Sequence, residues 1–162
     1  MGLFDFFKKK SSGEETPIED GDKTVIQSDN TDDSAPGWEA IDAEFDRLYP
    51  DQPNPRHYGT LIKYMFGGPD PLDGISVYDA GEFWHFVGYG LSELYTKESS
   101  DPEYSGYGIE LTFKLKKSDN DEEEIKNGCG LLQYVARYIF KTGKVVLPEE
   151  YIYTKQTVGI DA

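Results

Sequence analysis

The chain has 162 residues, 16 Lys+Arg against 31 Asp+Glu and a net charge of −15, with 37 % apolar and 14 % aromatic residues. That length suits one domain with a tail, and the charge repels phosphate, which argues against nucleic acid and for basic partners. A single cysteine, Cys129, excludes an internal disulfide framework; two histidines beside it fall short of the usual four-ligand zinc site, and no apolar run approaches the about 20 residues of a membrane span.

Residues 1–34 read as a flexible acidic tail. Over residues 1–35 four lysines stand against nine acids, and between Ser11 and Ser34 only Thr24-Val25-Ile26 clusters apolar side chains. So little apolar material does not offset the entropy of ordering. The opening Leu3-Phe4-Asp5-Phe6-Phe7, followed by Lys8-Lys9-Lys10, reverses the order of a secretory signal, and Phe6 stands where a myristoylation signal wants Ser or Thr. One or two helical turns bind a membrane weakly, so no stable insertion is expected and the chain reads as cytoplasmic.

The domain is expected over residues 35–162. Ser34-Ala35-Pro36 predicts a helix start, with Ser34 as cap and Pro36 in the first turn. Trp38, Ile41, Phe45 and Leu48 then form one helical stripe, ended by Pro50, Pro53 and Pro55. Tyr58 to Phe66 is strand-like, Gly67 to Gly74 is a turn-rich loop, and Ile75 to Tyr78 is a short strand. Phe83 to Leu91 is apolar on both alternating faces, which predicts a strand central in its sheet. Tyr107, Ile109, Leu111, Phe113 and Leu115 alternate with Gly108, Glu110, Thr112, Lys114 and Lys116, the clearest strand pattern in the chain. Asp119 to Glu124 is an acidic loop or helix entrance. Leu131, Leu132, Val135, Tyr138 and Ile139 predict a second helix closing near Gly143, with Gly128 and Gly130 against a much earlier start. Val145 to Leu147 and Tyr151 to Tyr153 read as late strands. The order is that of an α+β domain.

Chemical motifs are absent: no nucleophile elbow, phosphate loop, zincin helix or Cys-x-x-Cys occurs. Gly88-Tyr89-Gly90 and Gly106-Tyr107-Gly108 lack the third glycine of a phosphate cradle. Cys129 reads as a small buried thiol, and His85 as a satisfied, partly buried histidine. No catalytic residue, metal ligand or cofactor is therefore assigned. What stands out is aromatic: Phe83, Trp84, Phe86, Tyr89, Tyr95, Tyr104 and Tyr107 within 25 residues, serving either the core or a partner-binding face.

Several blocks closely resemble the Suppressor of fused family. They are Ala35-Pro36-Gly37-Trp38-Glu39-Ala40-Ile41-Asp42, Leu48-Tyr49-Pro50-Asp51-Gln52-Pro53-Asn54-Pro55, Gly67-Gly68-Pro69-Asp70-Pro71-Leu72-Asp73, Trp84-His85-Phe86, Gly90-Leu91-Ser92-Glu93-Leu94-Tyr95, Ser105-Gly106-Tyr107-Gly108-Ile109-Glu110-Leu111-Thr112-Phe113-Lys114-Leu115-Lys116 and Ala136-Arg137-Tyr138-Ile139-Phe140. The resemblance covers residues 35–145. It implies an α+β domain with a mixed β-sheet flanked by helices, and a non-enzymatic protein-binding module. In animal members such a domain helps to clamp a transcription-factor peptide as an added strand and retains it in the cytoplasm. Bacterial stand-alone members look like immunity proteins that bind and neutralise a cognate toxin, and the lone domain here resembles those. The alternative is an intracellular regulatory or scaffold protein that sequesters a partner by peptide-strand capture.

The resemblance places the partner face on Trp84, His85, Phe86, Tyr89, Glu93 and Tyr95, with Phe86 where the family block carries an aromatic contact and Glu93 where Asp is common. By strand alternation, Phe86 points opposite to His85 and Tyr89. Family domains usually continue with a further strand and a closing helix. The ending at Ala162 is therefore expected to leave the domain C-terminally incomplete, with an exposed apolar patch or open strand edge near the C-terminus.

Overall fold

The computed structural model describes residues 34–153. The expected tail, all but Ser34, lies outside the described residues, as do residues 154–162.

Helix α1 spans Pro36–Leu48 with Pro36 in its first turn, as expected. Its cap differs: the N-cap is Ala35, with no side-chain hydrogen bond, rather than Ser34. The first free N–H groups are satisfied from elsewhere in the fold, since Gly37 N and Trp38 N both donate to the Leu94 carbonyl at 3.1 and 3.2 Å. Gly37 is required there, because a Cβ would sit 2.2 Å from the Glu93 carbonyl oxygen. Trp38, Ile41 and Phe45 face the sheet and pack with Tyr78, Val87, Tyr89 and Leu94. Leu48, the last of the predicted stripe, is exposed.

Among the described residues, four strands form one sheet in the order β1-β2-β3-β4: Arg56–Gly59, Gly74–Asp79, Phe83–Tyr89 and Thr112–Lys116. The α+β expectation holds, but every pairing is antiparallel, so the sheet is not mixed. β3 lies between β2 and β4, the central place that its two apolar faces predict.

Two predicted strands shorten. The strand expected over 58–66 stops at Gly59, where Thr60 N turns to donate to the Asp73 carbonyl. The chain then closes a 3-10 turn at Tyr64–Phe66, capped by left-handed Gly67 at φ 86°. The strand expected from Tyr107 pairs only from Thr112. Left-handed Gly108, at φ 72°, interrupts the extended run there, and Tyr107, Ile109 and Leu111 pack on the core from outside the ladder.

Helix α2 spans Asp121–Thr142 and starts well before the predicted point. The acidic run Asp121–Glu124 is its first turn, where the helix dipole favours negative charge. It passes straight through Gly128 and Gly130. At Gly128 the reason is steric: a Cβ would lie 2.5 Å from Phe86 Cζ, so the glycine lets α2 settle onto the ring. Phe86 in turn stacks on Phe113 at 4.7 Å between centroids. Ile125, Leu132, Ala136 and Ile139 complete this second core with Leu72, Ile75, Val77, Trp84 and Leu91. The helix ends at left-handed Gly143, as predicted.

The late strands are not formed. Pro148 withholds a ladder donor, and Glu149, at φ 70°, turns the chain so that Glu150 N reaches the Leu147 carbonyl. Leu147, Tyr151 and Tyr153 are left exposed.

The two helix glycines separate in their effect. Gly128→Val is expected to lower unfolding free energy by about 1–3 kcal/mol through overpacking against Phe86. Gly130→Ala, which meets open space, should raise it by about 0.5–1 kcal/mol. Urea unfolding of both variants checks the contrast.

Candidate functional site

The six sequence-predicted contact residues separate into three groups. Trp84, Phe86 and Tyr89 are core residues, 5 %, 0 % and 1 % exposed, which corrects their assignment to an accessible face. Trp84 lies between Arg56 and Lys117, 4.8 and 4.1 Å from its ring, and its Nε1 donates to Asp121 Oδ1 at 3.1 Å. Tyr89 stacks on Trp38 at 4.4 Å, and its hydroxyl engages Asp42 Oδ1 at 2.9 Å and Ser76 Oγ at 3.2 Å. Burial holds that phenol well above the usual tyrosine range. The alternation argument stands, with Trp84 and Phe86 toward α2 and Tyr89 toward α1.

His85 and Glu93 are half-buried and fully engaged. Thr112 Oγ1 donates to the Phe86 carbonyl at 2.7 Å, so it accepts from His85 Nε2–H at 2.7 Å. His85 Nδ1 then accepts from the Tyr49 hydroxyl at 2.6 Å. Burial first, and Lys114 second, push the imidazole below its usual range, so it is neutral. Glu93 accepts from Glu98 N and Ser99 N at 2.7 and 2.6 Å and from the Ser99 and Ser105 hydroxyls, both at 2.9 Å. Desolvation alone would raise its carboxyl, but these four donors hold it at about 2. Glu93 is therefore a loop anchor.

Tyr95 is the one of the six on open surface. Its hydroxyl donates to Asp73 Oδ2 at 2.9 Å and accepts from Lys63 Nζ at 2.5 Å. It stands beside a surface that the sequence reading took as strand-like. Leu61, Ile62, Tyr64, Met65 and Phe66 are 104, 56, 44, 72 and 73 % exposed. Tyr64 packs edge-on against Phe140 of α2 at 5.0 Å, and a small hollow joins Tyr64, Met65, Pro71, Asp73, Tyr95 and Phe140. The sequence signal was available: Leu61 and Ile62 followed by Tyr64-Met65-Phe66 breaks the period-2 pattern of a half-buried strand.

A second feature is the long β3–β4 connection, residues 90–111, without helix or strand of its own. Two carboxylates hold it. Glu93 gathers residues 98–105, and Glu110 Oε1 accepts from Gly90 N, Leu91 N and Ser92 N at 3.0, 3.0 and 2.8 Å and from the Ser92 hydroxyl at 2.6 Å. Between this connection and α1 lies a cleft of about 440 Å³, walled by Ile41, Phe45, Val87, Tyr104, Ile109 and Thr112. Long connections pinned on a rigid scaffold commonly carry function. Cys129 contributes no reactive thiolate, because burial pushes its thiol up to about 11.

These features define an α+β domain with a carboxylate-pinned connection and exposed apolar side chains. The chain belongs to the Suppressor of fused protein family, whose sequence model matches residues 68–161. It is 40 % identical over 119 residues to the human and mouse Suppressor of fused homologs, covering 65 % of this chain and 25 % of each relative. The chain thus spans about a quarter of their length. In the Sufu–Fu complex crystal structure, a chain with 34 % identity superposes with a TM-score of 0.61, covering 70 % of this chain and 57 % of that one. The crystal structure of Drosophila Suppressor of Fused gives 35 % identity and a TM-score of 0.62, covering 70 % and 31 %.

Two outcomes follow. An NMR titration should find the His85 midpoint below 6.5, and His57, also lowered by burial, should behave alike. Both bind fewer protons folded than unfolded, so their contribution to stability is complete above pH 6.5 and is lost as pH falls through their folded values. Glu93→Ala should speed amide exchange at Glu98 and Ser99 about tenfold or more while leaving β3 protected.

Proposed function

We propose that this chain is a non-enzymatic, cytoplasmic protein-binding module that neutralises a cognate toxin by occluding it, engaging it through the Leu61–Phe66 surface and Tyr95. The observation that carries this reading is the run of five large apolar side chains open to water, with an aromatic neighbour beside it. Contiguous exposed apolar surface is the physical mark of a protein interface, and aromatic side chains supply most of the energy of such interfaces. The relatives support it, since one of them is solved in a complex with another protein. A net charge of −15 would speed capture of a basic toxin, with association slowing as salt rises.

A second reading, regulation by peptide-strand capture, is favoured by the sheet edges. β1 is exposed along its length, and β4 has no outer partner among the described residues. Either edge offers backbone groups to an extended peptide.

The test is genetic and then biophysical. The reading frame beside this gene is expected to arrest growth when expressed alone and to be silenced by co-expression of this chain. Phe66→Glu should weaken the purified complex at least about 30-fold without lowering the melting midpoint, because the side chain stands in solvent. A harmless neighbouring product would favour the regulatory reading, and an unchanged affinity would remove the 61–66 surface from the interface.

A further inference from the structure

On the face of the sheet that α1 covers lies a hollow of about 330 Å³. Four elements supply its polar side chains: Asp42 and Asp46 from α1, His57 from β1, Ser76 and Tyr78 from β2, and Tyr89 from β3. Asp42 and Asp46 stand one turn apart, so both lie on one side of α1. Among the described residues neither makes an ion pair, and Arg47, the basic residue next along the helix, is held by Glu44 at 2.6 Å. Asp42 Oδ1 accepts from the Tyr89 hydroxyl at 2.9 Å, and among the described residues Asp42 Oδ2 and the Asp46 carboxylate have no such donor.

Tyr78 supplies an independent sign. It is 2 % exposed and stacks on Phe45 and Tyr49 at 5.1 and 5.0 Å, yet it lines the hollow. Among the described residues its hydroxyl has no hydrogen-bond partner, since the Tyr89 hydroxyl beside it engages Asp42 Oδ1 and Ser76 Oγ. Burial first, then the charges of Asp42 and Asp46, hold the Tyr78 phenol above the usual tyrosine range, which puts its oxygen near both carboxylates. That oxygen is not sealed. Among the described residues the one fully enclosed side-chain oxygen without a partner is Glu110 Oε2, so the Tyr78 oxygen opens onto the hollow it lines. A hydroxyl buried to this degree and left without a partner is costly, and polar groups converging on one cavity mark a ligand site.

We infer that this hollow takes a primary ammonium group, carried by a lysine side chain of the protein partner and donating to the carboxylates of Asp42 and Asp46, with the Tyr78 oxygen as third acceptor. An ammonium has three donors and no acceptor, which matches acceptors set on two elements; the planar fork of a guanidinium suits a single carboxylate instead. The four-carbon stem is apolar and suits Trp38, Pro53 and Pro55, which border the same hollow. The two acids and the net charge of −15 complement a cation. The inference rests on the protein-binding reading and adds a contact region apart from Leu61–Phe66.

The test uses the full chain and the amides of Nα-acetyl-lysine, Nα-acetyl-arginine and Nα-acetyl-norleucine, the last keeping a stem without the charge. NMR titration should place the lysine probe at Asp42, Asp46, Ser76 and Tyr78, binding about tenfold tighter than the norleucine probe and more tightly than the arginine probe. Asp46→Asn, at an exposed position, should cut that preference about threefold without lowering the melting midpoint. Adding Asp42→Asn, which keeps an acceptor for the Tyr89 hydroxyl, should abolish it. No binding, shifts elsewhere, a lysine probe no better than either of the others, or a preference that survives both substitutions would each overturn the inference. Should the double variant lose its fold, Asp46→Asn alone decides, and an unchanged preference there overturns the inference equally. In the complex with the partner, the signals of Asp46 and Tyr78 should no longer answer to the lysine probe. Signals that still answer mean that the hollow takes free amines, and overturn its assignment to the partner. A chain that holds its partner through Leu61–Phe66 yet shows no lysine preference refutes the ammonium site alone. A lysine preference in a chain that binds no partner refutes the protein-binding reading instead.

Discussion

The fit of Phe86 against Gly128 sets the spacing of the whole domain. A bare backbone at one helical position brings α2 close enough to cover the ring, and the ring, stacked on Phe113, fixes how β3 and β4 sit beneath the helix. Ile125, Leu132, Ala136 and Ile139 then close on strands already held at that distance. On the opposite face Val87 and Tyr89 meet the stripe of α1. β3 is therefore the partition between two cores, and Trp84, Phe86, Val87 and Tyr89 are each committed to one side or the other. This commitment is why aromatic density along β3 marks packing, whereas most of the large apolar side chains open to water lie on the connections.

Carboxylates do structural work here that helices and strands do elsewhere. Glu93 and Glu110 together accept eight hydrogen bonds from residues 90–105, and they organise a connection without regular structure. Glu124, buried near the start of α2, accepts from Ser118 N at 3.0 Å and ties the end of β4 to the helix. Part of the negative charge of the chain thus serves backbone geometry.

Much of the architecture was legible because it rests on periodicity. The 3.6-residue stripe of Trp38, Ile41 and Phe45 and the two-sided apolar run at Phe83–Tyr89 name their elements without further information. What periodicity misses depends on partners distant in sequence. No local rule shows that Gly128 is tolerated mid-helix, because the cause is a ring 42 residues earlier. The acids at Asp121–Glu124 read as either a loop or a helix entrance, and only the packed helix decides for the second. Leu61 to Phe66 has strand-like composition, but the bond from Thr60 to Asp73 diverts it outward. Of the six residues that the family blocks point to, Tyr95 alone stands on open surface. The blocks did not tell side chains that make a surface from those that support one, since both are aromatic and both recur in the same blocks.

The seat of α1 on the Leu94 carbonyl has a mechanical meaning. A helix that caps itself can swing as a unit about its own first turn; α1 cannot, because its two leading N–H groups are fastened to the connection that forms the far wall of the cleft. Gly37 keeps that joint tight, with no room for a side chain between the two backbones. Force applied to the chain at Ser34 would reach Leu94 before it reached the sheet. The two walls would shift together, so that a load on the leading segment would tilt the cleft without prying it open.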